Sequence, residues 1–333
     1  IQNIDNINLL SRNSNDLYRK AHNNKLPIII FSHGLGGSAE LYSMISLSLA
    51  YCGFIVISLE SEDGSASYAA TVDEEIVPYK NPTGINYRNK EEVENFRKPF
   101  LEKREIEIKN ILAALRKKKY DPSLNEIFEY ADESQIILAG HSFGASSCVN
   151  YAQKNPDESI KSMILYDIWP WPLSKECLDS GLSIPSLFIN SEQFTVGSKE
   201  VTHTHHLIKN SVDSLLVAIN GTKHQIFSDT HSFGPKALLD KIYFTGPADV
   251  KDAIGTYSSI SNQFLELSLF DREPTRKRWS ASGTNDTSTR ITDQLKVWLE
   301  KRSPYFNDRI LLVDNVEENV ATTATPTTTT TVA

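Results

Sequence analysis

Runs of apolar residues recur along the first two thirds of the chain, separated by more polar segments with helical spacing. Six runs are short, rich in isoleucine, leucine and valine, and almost continuously apolar, which is typical of strands buried on both faces. They lie at residues 26–31, 54–59, 135–139, 162–166, 185–190 and 214–220. Helical patterns, such as those at residues 40–51 and 102–119, lie between most of them. This alternation predicts an α/β fold with a mostly parallel central sheet flanked by helices.

The remaining segments are predicted to be loops or tails. Residues 61–101 form a polar insertion that contains prolines and glycines, and residues 121–133 form a second loop-rich link. Long insertions of this kind are often lids or surface excursions. The Thr-rich residues 316–333 are predicted to be a disordered tail, whereas residues 1–315 are predicted to form a single α/β domain.

Composition and charge narrow the classes of function. The chain has 333 residues, 40% hydrophobic and 23% charged, with a formal net charge of −8. This balance gives no basic face for nucleic acid and little attraction to anionic lipid. Three scattered cysteines form neither a disulfide framework nor a zinc site, and no apolar run reaches the ~18 residues of a membrane-spanning helix. We expect a soluble protein, cytoplasmic or secreted, with an incomplete N-terminus because it begins at Ile1 without methionine.

The most informative motif is Gly-His-Ser-Phe-Gly at residues 140–144, which follows one apolar run and precedes a helical pattern. Gly-x-Ser-x-Gly between a strand and a helix is the sequence form of a nucleophile elbow, the turn that exposes a reactive serine in α/β-hydrolases. A serine hydroxyl is a poor nucleophile until a base takes its proton. We therefore predict Ser142 to be a nucleophile, with a glycine-rich turn as the alternative interpretation.

In this fold an acid and then a histidine follow the serine along the chain, each just past the end of a strand. Asp167 closes the run at 162–166, so it is predicted to hold the histidine in one tautomer. Its alternative role is that of a turn former at the strand end. His224 follows the last strand-like run and is the predicted base, with His231 as the second choice.

Three more histidines, His203, His205 and His206, cluster in a predicted helix. A metal site would need carboxylate or cysteine partners, and none is evident in the sequence nearby. We interpret this cluster as a solvated helix face and predict neither a metal nor a cofactor.

Attack of a serine on a substrate carbonyl gives a tetrahedral intermediate with a negative charge on the former carbonyl oxygen. Two hydrogen-bond donors are expected to stabilise this oxyanion. One is the N–H of Phe143, directly after the serine, and the other is assigned to Leu35 in the glycine-rich segment at 32–37. A simple glycine-rich strand exit is the alternative for that segment. In α/β-hydrolases this turn follows the third strand, but here it follows the first, so the N-terminal strands are predicted to be short or missing.

Seven segments in unbroken order carry a more specific pattern. They are Phe-Ser-His-Gly-Leu-Gly at 31–36, Gly-Phe-Ile-Val at 53–56, Asp-Gly-Ser-Ala-Ser at 63–67, the elbow at 140–144, Asp-Ile-Trp at 167–169, Ile-Asn-Ser-Glu at 189–192 and His-Gln-Ile-Phe-Ser-Asp at 224–229. Together they resemble the platelet-activating factor acetylhydrolases of the single-chain type, which include lipoprotein-associated phospholipase A2 and intracellular isoform II. The resemblance implies an α/β-hydrolase fold with Ser142 as nucleophile, Asp167 as acid and His224 as base.

The resemblance also implies the reaction: calcium-independent hydrolysis of short or oxidised sn-2 acyl groups of phospholipids, such as 1-alkyl-2-acetylglycerophosphocholine, without a cofactor. A phospholipid substrate suggests contact with a membrane or lipoprotein surface. Two apolar groups could make such a contact, with core packing as the alternative for both. They are the Trp-Pro-Trp-Pro-Leu segment at 169–173, and Leu238, Leu239, Ile242 and Tyr243.

The chain departs from the family pattern in three places. It has Glu-Ser-Glu-Asp at 60–63 where family members usually carry Glu-His-Arg-Asp, and Gly144-Ala145 after the elbow serine where they carry a Gly-Gly pair. Fewer residues also precede its first predicted strand. Two other functions are therefore weighed beside the phospholipid esterase. One is a small-ester or polyester hydrolase of the same fold, since a fold does not fix a substrate, and the other is a catalytically inactive relative that only binds lipid.

Overall fold

The computed structural model describes residues 24–196, 199–234, 245–270, 290–306 and 310–312. The strands are β1 (Leu26–Ser32), β2 (Ile55–Leu59), β3 (Ala69–Ala70), β4 (Ile76–Val77), β5 (Ala131–His141), β6 (Ile160–Tyr166), β7 (Ser186–Ser191), β8 (Ser214–Ile219) and β9 (Ile310–Leu312). The α-helices are α1 (Ser43–Tyr51), α2 (Lys90–Lys117), α3 (Asn125–Phe128), α4 (Phe143–Lys154), α5 (Lys175–Ser180), α6 (Glu192–Thr195), α7 (Lys199–Lys209), α8 (Val250–Phe270) and α9 (Ile291–Phe306). Short 3-10 helices lie at Glu40–Tyr42, Pro122–Leu124, His224–Phe227 and Asp229–Ser232.

The central sheet has seven strands in the order β2-β1-β5-β6-β7-β8-β9. The first six are parallel, as predicted, and β9 pairs with β8 in antiparallel orientation at one edge. The strand order reverses between β1 and β5, because the chain leaves β1 for β2 and then returns to the other side. Ligands of open α/β sheets bind at the carboxyl ends of strands at such a switch point. The loops that leave β1 and β5 carry Leu35 and Ser142.

Both faces of the sheet are covered, and this explains why the strands are apolar almost throughout. In β1, Ile29 and Phe31 belong to the core beneath α1, α8 and α9, whereas Ile28 and Ile30 belong to the core beneath α2 and α4. All four side chains are fully buried. Alternate residues of a strand point to opposite faces, so a strand between two helix layers needs apolar residues at every position.

Helix α2 begins earlier than the sequence pattern predicts. The expected helix starts at residue 102, after the polar insertion at 61–101, but the observed helix starts at Lys90 and continues through Pro99. Its N-terminus is stabilised by Asn89, whose side chain accepts hydrogen bonds from two N–H groups of the first turn. The end of the predicted insertion is therefore helical, and the part before it contains the hairpin β3–β4.

Other predictions are confirmed in part or lie outside the described residues. The predicted link at 121–133 contains a 3-10 turn, the short helix α3 and the start of β5, while the predicted helix around 202–210 is α7. The Thr-rich residues 316–333 and the residues before Asn24, where N-terminal strands were expected to be short or missing, are outside the described part. None of the helices in that part combines the length and apolar content needed to span a bilayer.

Candidate active site

Ser142 occupies a strained turn between β5 and α4. Its φ of 56° and ψ of −118° are unusual for a residue with a side chain, and strained serines of this kind mark nucleophile elbows. The two flanking positions must be glycine because neighbouring backbone atoms lie too close for a Cβ. A Cβ on Gly144 would lie 2.0 Å from the carbonyl oxygen of Ser32, and one on Gly140 would lie 2.6 Å from the backbone of Gly144. The turn can form because both positions lack a side chain.

Ser142, His224 and Asp167 form one continuous hydrogen-bonded series. His224 Nε2 lies 3.0 Å from Ser142 Oγ, and His224 Nδ1 lies 3.0 Å from Asp167 Oδ2. A carboxylate can only accept, so the proton of neutral His224 is on Nδ1 and Nε2 is left to accept the serine proton. The parallel strands β5, β6 and β8 bring these residues to one sheet edge, although they are far apart in the sequence.

Asp167 is fully buried and is held by one serine as well as by His224. Its Oδ1 accepts a hydrogen bond from the Ser191 N–H (2.6 Å), and its Oδ2 accepts one from the Ser191 hydroxyl (2.6 Å). Burial raises the pKa of the Asp167 carboxyl above its ordinary value, while the hydrogen bonds from His224 and Ser191 oppose that shift. Hydrogen bonds therefore orient both oxygens of the carboxylate.

The imidazole of His224 is fixed by the segment that follows β7. Gln193 Oε1 accepts a hydrogen bond from the backbone N–H of His224 (2.9 Å). The Phe194 ring stacks on the imidazole at 4.2 Å between centroids with an interplanar angle of 6°. Sequence reasoning assigned no role to Ser191, Gln193 or Phe194. The available signal was their place at the last residue of β7 and directly after it, at the carboxyl edge of the sheet where Asp167 also emerges.

A second hydrogen-bonded series passes through His141 and Tyr42. His141 Nε2 donates to the His224 carbonyl (3.1 Å), and burial lowers the pKa of His141 well below its ordinary value, so its Nδ1 is an acceptor. Tyr42 donates its hydroxyl proton to that Nδ1 (2.9 Å), and its oxygen accepts the N–H of Gly34 (3.0 Å). The backbone of His224 is thereby tied to the loop that contains Leu35.

Leu35, one of the two predicted oxyanion donors, lines a small cavity beside Ser142, and Phe143 directly follows that serine in the chain. Among the described residues, neither the Leu35 N–H nor the Phe143 N–H has a hydrogen-bond acceptor, so both groups are free to bind an oxygen. A cavity of about 180 Å³ is lined by residues 34–37, Tyr42, Ser142 and His224, among others. The serine, the histidine and the Leu35 loop therefore face the same space.

The loop at 33–37 is supported from beneath by Arg104. Its Nη1 donates to the Ser32 hydroxyl (2.9 Å) and to the His33 carbonyl (2.6 Å), and its Nε donates to Asp63 Oδ2 (2.9 Å). All of these side chains are buried. Asp63 belongs to the segment 60–63 that departs from the family pattern, yet this acidic end of the segment is the part that contacts Arg104.

The other candidate histidines lie elsewhere. The ring of His231 hydrogen-bonds to the Ser228 carbonyl (3.0 Å). In the cluster on α7, His206 Nε2 lies 2.6 Å from Asp179 Oδ1. The expectation that this cluster has no carboxylate partner is therefore wrong, because α5 packs against α7 and brings Asp179 close.

The Trp-Pro-Trp-Pro-Leu segment packs largely in the core. Trp171 and Leu173 are buried, whereas Trp169 is half-buried. Core packing, the alternative interpretation of this segment, thus holds for most of it. The second apolar group at 238–243 lies outside the described residues.

His141, Asp167 and His224 place three ligand atoms within 4.8 Å of one another, a spacing that a metal ion could bridge. Both nitrogens of each imidazole and both carboxylate oxygens also have hydrogen-bond partners within the protein. The hydrogen-bonded arrangement thus satisfies these groups by itself.

Fold comparison identifies the class of protein. The structure resembles a ferulic acid esterase from Streptomyces cinnamoneus with a TM-score of 0.58, over 78% of this chain and 72% of that chain, at 17% sequence identity. With the parallel sheet and the serine turn after β5, this likeness defines an α/β-hydrolase fold. The family model for platelet-activating factor acetylhydrolase, isoform II, matches residues 8–287, and the chain belongs to this family.

Individual relatives agree with that family. The platelet-activating factor acetylhydrolase of Gallus gallus is 28% identical over 267 residues, which cover 74% of this chain and 62% of the relative. The Bos taurus protein of the same name is 28% identical and covers 74% and 57%, respectively. A putative phospholipase A2 of Schizosaccharomyces pombe is 26% identical and covers 85% of this chain and 75% of its own. The matched part of the chain spans less than two thirds of the length of either acetylhydrolase.

Proposed function

We propose that this protein is a serine esterase that removes short or oxidised sn-2 acyl groups from phospholipids such as 1-alkyl-2-acetylglycerophosphocholine. The observation that carries the proposal is the pair of 3.0 Å contacts that join Ser142, His224 and Asp167 in series. Membership of the acetylhydrolase family supports the choice of a phospholipid ester.

In the first half of the reaction, Ser142 Oγ attacks the ester carbonyl while its proton moves to His224 Nε2. The resulting oxyanion accepts hydrogen bonds from the N–H groups of Leu35 and Phe143, which have no other acceptor among the described residues. Asp167 stabilises the imidazolium that has formed. His224 then protonates the alcohol oxygen, so the lysolipid leaves and the acyl group stays on Ser142.

In the second half of the reaction, water replaces the alcohol. His224 removes a proton from the water as it attacks the acyl-enzyme, and the second oxyanion uses the same two N–H groups. Collapse of this intermediate returns the proton to Ser142 Oγ and releases the free carboxylic acid. No step of this scheme uses a metal ion, so turnover is expected to persist with a chelator.

The size of the cavity supports a short acyl group. Its volume of about 180 Å³, directly beside Ser142 and His224, accommodates an acetyl or similarly short group. The phospholipid itself is the partner that we propose, together with a membrane or lipoprotein surface from which it is taken.

The proposal is tested with phosphatidylcholines whose sn-2 chains range from acetyl to palmitoyl, assayed with a chelator. We expect turnover that is highest for acetyl, is unaffected by the chelator and is abolished in Ser142→Ala. A fluorophosphonate probe should label the wild type and leave Ser142→Ala unlabelled. Equal labelling of both would refute Ser142 as the nucleophile. If the protein hydrolyses small esters but no phospholipid, the alternative of a small-ester or polyester hydrolase is favoured.

A further inference from the structure

Arg97 on α2 is a buried cation with unused hydrogen-bond donors. Its side chain is 0% exposed. Its Nη2 donates to the hydroxyl of Tyr87 (3.1 Å), but its Nε and Nη1 have no hydrogen-bond partner among the residues that the structure describes. In the described part of the chain, no carboxylate forms an ion pair with it.

The contrast with Arg104, two turns further along the same helix, shows what a satisfied arginine looks like here. Arg104 is equally buried, but its Nε, Nη1 and Nη2 all donate hydrogen bonds, and it pairs with Asp63. A buried guanidinium without such partners is costly, because its charge and its N–H groups have both left water. An anion that reached Arg97 would supply the acceptors that its Nε and Nη1 lack among the described residues.

Aromatic rings compensate only part of that cost. The Arg97 Cζ lies 4.8 Å from the ring centroid of Phe96, 4.9 Å from that of Phe100 and 5.9 Å from that of Phe143. Such contacts stabilise the positive charge through the ring quadrupoles. They do not satisfy the N–H groups, which need oxygen or nitrogen acceptors. Lys80 adds a second positive charge, because its Nζ lies 5.6 Å from the Phe100 ring.

The topology places Arg97 at the edge of the sheet where Ser142 lies. Helix α2 precedes β5 in the chain and runs in the opposite direction to the parallel strands. The N-terminal half of the helix therefore lies at the carboxyl ends of the strands. Arg104 is level with the end of β1, where it contacts Ser32 and His33. Arg97 precedes it by seven residues, so it lies roughly 10 Å further towards the outer rim of the site.

Two contacts join Arg97 to the serine turn and to solvent. Its guanidinium faces the ring of Phe143, the residue directly after Ser142. Its partner Tyr87 is 42% exposed, and the Tyr87 ring lies 6.3 Å from that of Trp169 between centroids. The backbone N–H of Trp169 in turn donates to the Ser142 carbonyl (3.2 Å). A ligand that displaces the Tyr87 side chain would therefore reach Arg97 from the surface beside Trp169.

We propose that Arg97 binds a singly charged oxyanion carried by the ester substrate, with its free N–H groups as donors. Two parts of a substrate could supply this group: the phosphate on the alcohol side, or a carboxylate at the end of an oxidised acyl chain. The proposal rests on the proposed esterase function, but its test includes esters that are not phospholipids.

The experiment uses two pairs of esters in which only one member carries an anionic group. The first pair is p-nitrophenyl hemiglutarate, which has a carboxylate, and its neutral analogue p-nitrophenyl pentanoate. The second pair is the zwitterion 1-alkyl-2-acetylglycerophosphocholine, which has a phosphate, and the uncharged 1-alkyl-2-acetylglycerol. In Arg97→Gln, kcat/KM for the member with the anionic group should fall about 10- to 100-fold in at least one pair, as expected for lost charge-assisted hydrogen bonds. The neutral member should change less than about threefold, since it makes no such bond.

Control variants separate binding from packing. Arg88→Gln removes an exposed arginine beside Tyr87 and should leave both pairs unchanged. Arg97→Lys keeps the charge and should recover part of the lost selectivity. Loss in the hemiglutarate pair alone assigns the acyl carboxylate, and loss in the phosphocholine pair alone assigns the phosphate. Equal loss for charged and neutral esters, or no loss for either, would overturn the proposal.

If circular dichroism shows that Arg97→Gln is unfolded, a second measurement on the wild-type protein tests the anion site. Hydrolysis of p-nitrophenyl acetate by the wild-type protein is followed with added dimethyl phosphate or glutarate, at constant ionic strength. Inhibition beyond that of chloride supports an anion site, and the absence of inhibition by both anions overturns it. If the wild type hydrolyses no phospholipid, the proposed function fails, while the hemiglutarate pair and the inhibition still test Arg97.

Discussion

Two buried aspartates in this protein have nearly the same surroundings and opposite pKa shifts. Asp63 accepts hydrogen bonds from the N–H and the hydroxyl of Ser65 and from Arg104 Nε. Asp167 accepts them from the N–H and the hydroxyl of Ser191 and from His224 Nδ1. Each carboxylate therefore has one serine that binds it twice and one nitrogen donor.

The charge of the nitrogen donor makes the difference. For Asp63, burial opposes ionisation, but the Arg104 cation and the Ser65 hydrogen bonds outweigh it and lower the pKa of the carboxyl. For Asp167, burial prevails and raises the pKa, since the partner is an imidazole. Asp63 has an arginine cation as its partner, whereas the partner of Asp167 carries a charge only when it is protonated. A static support and the proposed catalytic acid thus differ in one partner.

The largest effect is expected from Asp167→Asn. The amide keeps the shape of the side chain but cannot stabilise an imidazolium and favours the wrong tautomer of His224, so kcat should fall about 10⁴-fold. The melting temperature should stay the same or rise, because the variant no longer buries a charge that is only partly compensated. Steady-state kinetics and thermal unfolding on the same samples check both parts. Near-normal turnover would move the acid to another residue.

The corresponding change at the other aspartate should affect stability most. Asp63→Asn leaves the buried Arg104 without its counter-charge, and removing one partner of a buried pair costs about 3–5 kcal/mol of the free energy of unfolding. Urea unfolding measures this loss. The matched control is Asp179→Asn, which removes an exposed carboxylate that pairs with Lys175 and should change stability much less. Equal losses in the two variants would contradict the role given to Asp63.

The pH dependence of stability should have opposite signs for the two carboxylates. Because the folded pKa of Asp63 is lowered, its contribution is present above about pH 4 and is lost as the pH falls through the folded pKa. Because the folded pKa of Asp167 is raised, its contribution is present below about pH 4 and is lost as the pH rises through the folded pKa.

Urea unfolding at a series of acidic to neutral pH values checks these signs. The deficit of Asp63→Asn relative to the wild type should shrink on acidification. Relative to Asp167→Asn, the wild type should instead gain stability on acidification. Parallel profiles for the wild type and both variants would show that neither shift exists.

The sequence predicted the sheet and the meeting of Ser142, Asp167 and His224 for the same physical reason. Parallel strands bring their carboxyl ends to one edge, so residues just past those ends must lie close together. Apolar strands between helix layers are also easy to recognise. The catalytic roles of these residues stay predictions that the experiments above test.

Supporting contacts were not predictable in this way. Gln193 holds His224 with its side-chain Oε1, which accepts the backbone N–H of His224, and no motif in the sequence indicated that these two residues meet. Arg97 and Arg104 are buried, although arginine is usually exposed, and only the three-dimensional packing reveals their opposite states. The start of α2 was missed because the polar composition of residues 61–101, with its prolines and glycines, indicated an insertion, whereas the Asn89 cap and the buried face of the helix extend it back to Lys90.

The smallest effect is expected from Tyr42→Phe, which removes the hydroxyl between Gly34 and His141. The ring can keep its packing against Phe31, 5.1 Å away between centroids. His141 Nδ1 and the Gly34 N–H lose their partner, which should cost about 1–3 kcal/mol of the free energy of unfolding. Since the same series links the His224 backbone to the Leu35 loop, kcat should fall about tenfold, which equals about 1.4 kcal/mol, with little change in KM.

Tyr51→Phe is the matched control, because Tyr51 is half-exposed at the end of α1 and should tolerate the loss of its hydroxyl. Urea unfolding and steady-state kinetics of both variants separate two roles for Tyr42. A purely structural hydroxyl would lower stability and leave kcat unchanged once the folded fraction is accounted for. A positioning hydroxyl lowers kcat in the fully folded protein, since it orients both the base and an oxyanion donor without touching the substrate ester. Rising KM at constant kcat would instead indicate that Tyr42 binds the substrate directly from the cavity wall.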